Sequence, residues 1–218
     1  MMDQTSKKVC IFIVHDGEQL AVSMTTGRIL NIPNILTLAR IALIPVFLLV
    51  AYWPPALGFE ANSSDMTRHI ILTTIFVVAA VTDWFDGYLA RTLNQTSAFG
   101  RFLDPVADKL MVAAALIVLV QWQPSMSMAF AAIVIISREI TVSALREWMA
   151  ELGARTNVAV STVGKYKTAF QMIAITVFLL NWEPLELLGY ALLYTAVVLT
   201  LWSMFIYLKA AWPYLKQP

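Results

Sequence analysis

Asp83, Asp86, Asp104 and Asp108 are the residues of this 218-residue chain best suited to chemistry. The first two are spaced i,i+3 and the last two i,i+4. On a helix each pair therefore shares one face, with Cβ atoms about 5–6 Å apart. Ligands that offer only oxygen suit Mg²⁺ or Mn²⁺ rather than zinc. Two such ions about 3.5–4 Å apart clamp both oxygens of an in-line displacement at phosphorus. Gly87 and Gly100 remove side chains where a ligand approaches the backbone. Arg91, five residues beyond Asp86, offers a planar fork to a diphosphate. The competing explanation is a solvated rim in which these acids pair with Arg91, Arg101 and Lys109. Four acids at this spacing, with two glycines interleaved, favour a metal and phosphate site over that rim.

Positioning these acids is a task for lipid-embedded helices. Hydrophobic residues make up 59% of the chain and charged ones 13%, about half the charged share of a soluble domain. Six segments reach the length of about 20 apolar residues that a bilayer requires. They are expected at 34–53, 67–93, 98–122, 127–149, 161–182 and 187–208. The charge-free stretch from Leu110 to Ser137 is too long for one span, and Gln121-Trp122-Gln123-Pro124-Ser125 divides it. The fold class expected is therefore an all-α membrane protein, a six-transmembrane-helix bundle. Asp83 lies roughly 24 Å along the second helix, where ionisable groups are costly and usually functional. Pro105 leaves two choices, a third helix that starts near Asp104 or one that kinks there.

Charge sets the expected orientation. Arg91, Arg101, Arg155 and Lys165 fall between helices two and three or four and five, which places those loops in the cytoplasm. Both termini and the four acids then lie on that side. Net charge is +1, with no basic excess for nucleic acid, and Cys10 is the only cysteine, which excludes an internal disulfide. Residues 1–27 lack a signal-like apolar core and are expected to be a weakly ordered cytosolic extension; 211–218 are expected to be a tail. Trp53, Trp122, Trp182 and Trp212 read as interfacial anchors, and His15 and His69 as solvated.

The spacing Asp83-x2-Asp86-Gly87-x2-Ala90-Arg91-x8-Gly100-x3-Asp104-x3-Asp108 resembles the complete signature of the CDP-alcohol phosphatidyltransferases. Asn31–Thr37, Ser137–Ile140 and Ser143–Gly153 resemble the branch of that family that uses glycerol phosphate, over 28–210 as one membrane domain. The resemblance implies a homodimeric enzyme of the bacterial inner membrane. It would transfer the phosphatidyl group of CDP-diacylglycerol to sn-glycerol 3-phosphate, for phosphatidylglycerol synthesis. It also implies that Asp83 and Asp104 bridge two divalent cations, Mg²⁺ or Mn²⁺, while Asp86 and Asp108 each complete one site. Asp108 would take the proton of the attacking hydroxyl. Gly87, Ala90, Arg91 and Ser97, with Gly100, match positions that hold the CDP group, and Asn34 and Thr37 match a second nucleotide contact.

An anionic acceptor needs fixed cations. Arg138 lies near the middle of helix four, where an unpaired guanidinium is expensive. Arg138, Arg146, Lys165 and Lys167 are the expected cradle for glycerol phosphate, against snorkelling side chains as the alternative. Glu139 lies about 20° from Arg146 on the helical wheel and is expected to pair with it. Two other functions compete. A cation transporter also uses intramembrane carboxylates, though here they cluster at one face. A sibling transferase with inositol phosphate, serine or phosphatidylglycerol as acceptor shares the same signature.

Overall fold

The computed structural model describes residues 8–15, 18–25, 32–52, 64–92, 98–152 and 162–215; within these, side chains are described for 34–52, 66–83, 85, 103, 106–152 and 166–214. Six long helices follow a short β-hairpin: α1 Ile32–Ala51, α2 Ser64–Thr92, α3 Ala98–Trp122, α4 Met126–Glu151, α5 Thr162–Leu180 and α6 Glu186–Leu215. The membrane domain is thus all-α. Among the described residues, four of these helices hold long apolar windows, at Asn34–Ala51, Met66–Asp83, Met126–Glu151 and Glu183–Tyr214, and Tyr166–Leu180 is a shorter apolar stretch. Multi-pass membrane insertion follows from these helices.

Local chemistry explains the boundaries. Pro33 sits in the first turn of α1, where its missing N–H leaves no helical bond unmade. Between α3 and α4 the Ser125 hydroxyl caps α4 by accepting from the Met128 N–H at 3.2 Å. Asn181 ends α5 with φ of 51°, a left-handed conformation that asparagine tolerates better than most residues. A 3₁₀ turn at Glu183–Leu185 then leads into α6. Pro105 lies inside α3, which starts at Ala98 and not near Asp104. α6 runs seven residues beyond the expected end at Leu208, into the expected tail at 211–218, and tolerates Pro213 because it stands in the last turn, where few helical bonds follow.

The N-terminal extension differs from expectation. Strands β1 Lys8–His15 and β2 Glu18–Thr25 pair antiparallel, with His15 opposite Glu18 and Lys8 opposite Thr25. Val9, Ile11 and Ile13 favour strand, and the two residues between the strands, Asp16-Gly17, are a strong hairpin signal.

α5 packs on α6, α1 on α2 and α3, α4 on α6, and α2 on α5. Phe47, Leu72, Phe76, Leu116, Leu119, Met128, Ile135, Ile175, Leu179 and Leu193 fill the centre. A second cluster of Val142, Met149, Tyr207 and Ala211 joins α4 to α6 toward the other end. Leu49, Ile117, Ile133, Ile140, Val198 and Phe205 point outward, as lipid-facing side chains do. Gly189 keeps α6 close to α5, since a Cβ there would lie 3.1 Å from the Phe178 ring and from Val177.

Candidate active site

α1 and α2 bring a cation to the first acid. Arg40 Nη1 lies 2.5 Å from Asp83 Oδ1, with the arginine buried and the aspartate partly exposed. Arg40 is about 12 Å from the start of α1, and Asp83 about 14 Å from the end of α2. Their helices pack together, so the two charges meet at matching depth. Asn34 and Thr37 are also buried, on the turns of α1 before Arg40. Asp108, partly buried on α3, lies within electrostatic reach of the Asp83 and Glu139 carboxylates and of Arg40 and Lys167. Lys109 instead turns to α4, where its amine donates to the Ser143 hydroxyl.

A second charged group joins α4, α5 and α6. Arg138 is 6% exposed, and its Nη2 donates to Ser203 Oγ on α6 at 2.7 Å. Its guanidinium stands 5.7 Å from the centre of the Tyr207 ring, within cation–π range. Glu139 Oε1 lies 3.4 Å from Arg138 Nη1 and accepts from Lys167 Nζ of α5. Lys167 is 3% exposed, which is tolerable for an ammonium only beside such a partner. Arg138 Nε stays buried without a hydrogen-bond partner among the described residues. A guanidinium fixed by three neighbours, with an N–H unspent, suits an anion that arrives later.

The sequence-predicted residues divide into three sets. Asp83, Asp108, Arg138 and Lys167 come within electrostatic reach through Asp108 and Glu139. Arg146 is exposed on α4, and Glu139 pairs with Lys167 and Arg138 in place of it. The physical reason is axial distance, because seven residues separate Glu139 from Arg146 by about 10 Å. Asp86, Gly87, Ala90 and Arg91 on α2, Gly100 and Asp104 on α3, and Lys165 on α5 lie on described backbone, outside the described side chains; Ser97 and Trp53 lie outside the described residues.

Sequence reasoning missed Arg40, Ser203 and Tyr207. Arg40 carried a usable signal, since a lone guanidinium within an apolar span demands a partner. The donor set fits divalent cations by its chemistry, with two aspartates on α2 and two on α3. Arg40 then offsets part of the negative charge and holds Asp83 in place.

A membrane-embedded helical bundle carries the two aspartate pairs on the adjacent helices α2 and α3. A family model, CDP-alcohol phosphatidyltransferase, matches residues 30–202, and the chain belongs to that family. Members of the family generally depend on divalent cations. Three similar curated proteins bear the name CDP-diacylglycerol–glycerol-3-phosphate 3-phosphatidyltransferase. The protein of Pectobacterium atrosepticum is 51% identical over 191 residues, 86% of this chain and 98% of its own. That of Pseudomonas fluorescens is 52% identical over 191 residues, 86% and 93% of the two chains. That of Yersinia pestis strain Pestoides F is 50% identical over 192 residues, 87% and 99%. The hairpin Lys8–Thr25 precedes the residues that the family model matches.

Proposed function

We propose that this chain transfers the phosphatidyl group of CDP-diacylglycerol to sn-glycerol 3-phosphate, with phosphatidylglycerophosphate and CMP as products. The observation that carries this reading is Asp108 on α3, within electrostatic reach of Asp83 on α2 and Arg40 on α1 on one side and of Glu139 on α4 and Lys167 on α5 on the other. Similarity to the three named relatives over most of both chains supports the same activity. Arg138 and Lys167 hold the phosphate of the acceptor, joined by Lys165 and, from the exposed side, Arg146. Asp108 takes the proton of the C1 hydroxyl as that oxygen bonds to the phosphorus carrying diacylglycerol. The bond from that phosphorus to the CMP oxygen breaks, and the electron pair leaves with CMP.

Asp83, Asp86, Asp104 and Asp108 are the residues that would hold two cations, Mg²⁺ or Mn²⁺. When bound, such ions neutralise the diphosphate and the charge that develops on departing CMP. Arg40 orients Asp83. Asn34 and Thr37 of α1 and Gly87, Ala90, Arg91, Ser97 and Gly100 are the CDP contacts of this reading. It further places the chain in a bacterial inner membrane, as a homodimer, with both termini and the site facing the cytoplasm.

The full chain, purified in detergent and supplied with CDP-diacylglycerol, glycerol 3-phosphate and Mg²⁺, should release CMP together with a lipid of phosphatidylglycerophosphate mass. Chelation should stop both. Absence of CMP under these conditions would overturn the reading. A donor with a chiral phosphorus should give net inversion, as direct displacement requires; net retention would point to a covalent intermediate.

A further inference from the structure

The end of the bundle opposite the aspartates carries a polar cluster that phosphatidyl transfer does not use. His69 starts this cluster on α2, about 21 Å along the helix from Asp83. Expected to be solvated, it is instead partly buried, with its ring edge-on to Trp122 at 4.9 Å. Its Nδ1–H donates to the Leu179 carbonyl at 2.8 Å, since a carbonyl can only accept. Its Nε2 therefore accepts, from Asn181 Nδ2 at 3.4 Å. Asn181 Oδ1 in turn faces Gln123 Nε2 at 3.5 Å. This directed chain ends on Gln123 Oε1, a buried acceptor without a hydrogen-bond partner among the described residues. An acceptor so placed needs a donor.

That oxygen belongs to a residue lining a cavity of about 470 Å³, in the range of small-ligand sites. Glu183, Glu186 and Tyr190 line it as well, and both carboxylates are exposed. The cavity is thus rich in acceptors and negative charge. An adjoining cavity of about 280 Å³ shares Gln123, Phe178 and Asn181 with it and is lined by Arg68 and His69. Anionic and cationic walls therefore stand side by side. Trp122 and Trp182 are at this same end, and tryptophans favour the depth of lipid head groups.

We propose that the paired cavities at the His69–Asn181–Glu183 end bind the head group of a phospholipid bearing a primary amine. The ammonium lies against Glu183 and Glu186, a rotation of the Gln123 side chain at the cavity wall brings its Oε1 to the ammonium N–H, and the phosphate faces Arg68. A trimethylated ammonium has no N–H to give Gln123, and a glycerol head group has no positive charge for the glutamates. The site therefore discriminates among lipids of identical acyl chains.

Native mass spectrometry of the full chain tests this, with an equimolar mixture of phosphatidylethanolamine, phosphatidylcholine and phosphatidylglycerol of the same acyl chains. The ethanolamine lipid should be retained over each of the others by about tenfold, the scale of one charge-assisted hydrogen bond. The double variant Glu183→Gln/Glu186→Gln should bring the three lipids close to parity. Gln123→Leu should lower the preference over phosphatidylcholine in particular. CMP release and Tm should stay unchanged in the double variant, whose glutamates are exposed. Equal retention of the three lipids by the unaltered chain would overturn the proposal, as would a preference that survives all these substitutions. Displacement of the lipid by soluble ethanolamine phosphate at matching concentration would overturn the lipid assignment in favour of a soluble amine.

Discussion

The α1–α3 half of the bundle and the α4–α6 half carry opposite chemistry. In the first, aspartates of α2 and α3 dominate, and Arg40 of α1 is the counter-charge that fixes Asp83. In the second, Arg138 and Lys167 dominate, and Glu139 is the counter-charge shared between them. The surplus is local: Asp83 and Asp108 outnumber Arg40 in the first cluster, and Arg138 and Lys167 outnumber Glu139 in the second. Each uses one residue of the opposite sign to hold its neighbours still while leaving charge available to a ligand. On the function proposed above, cations and a diphosphate belong with the acids, and a phosphate monoester belongs with the bases. Asp108 is within electrostatic reach of charges in both halves, which suits the proposed role of taking the proton of the acceptor hydroxyl.

Substitutions that break this division should act unequally on the two substrates. The largest effect is expected from Asp108→Asn, which should cut turnover by about 10²–10⁴-fold, the range of general-base catalysis. Mn²⁺ binding by calorimetry should persist better in Asp108→Asn than in Asp83→Asn. Turnover equal to that of the unaltered enzyme would remove Asp108 as the base. Next comes Arg138→Ala, expected to raise KM for glycerol phosphate by on the order of 10–100-fold while the KM for CDP-diacylglycerol stays close to its starting value, as loss of a charge-assisted hydrogen bond in a buried site implies. Steady-state kinetics with each substrate varied in turn checks this, and an unchanged glycerol phosphate KM would refute the role.

A smaller effect is expected at Arg40, because Asp83 is 45% exposed and water screens the pair. Arg40→Met should lower turnover by about tenfold, with Arg40→Lys recovering part of it. Equal loss in both variants, accompanied by a fall in Tm, would mean that Arg40 serves only packing. Arg146→Ala should be the mildest, within about twofold on either KM, since an exposed cation adds little. A large rise in glycerol phosphate KM would make Arg146 an equal partner of Arg138 and Lys167 and not an outer contact of the cradle.

Much of this arrangement was legible in the sequence. α3 spans the expected Ala98–Trp122 because the polar, proline-containing stretch after Val120 admits no continuous helix. The aspartate spacing places each pair on one helix face, since i,i+3 and i,i+4 fix a shared face, and α2 and α3 are the helices that carry them. Cross-helix partners were harder to read. Arg40 and Asp83 are 43 residues apart, and Arg138 and Ser203 are 65; helical periodicity shows which face a residue occupies, not which helix that face meets. The same gap produced the expected Glu139–Arg146 pair, which satisfied the wheel but not the axial reach. The hairpin was missed for another reason. By length its apolar run is too short for a signal segment, but the alternation of Val9, Ile11 and Ile13 and the Asp16-Gly17 step carry the strand signal.

The most direct test of the central claim is acceptor competition in one purified sample. Glycerol 3-phosphate, inositol phosphate, serine and phosphatidylglycerol are supplied together at equal concentration with CDP-diacylglycerol and Mg²⁺, and the lipid products are separated by mass. The acceptor named for the relatives, together with a cationic cluster suited to a phosphate monoester, predicts phosphatidylglycerophosphate as the dominant product, with that dominance reduced in Arg138→Ala. Phosphatidylserine or cardiolipin as the main product would contradict the assignment of the Arg138–Lys167 cluster to glycerol phosphate.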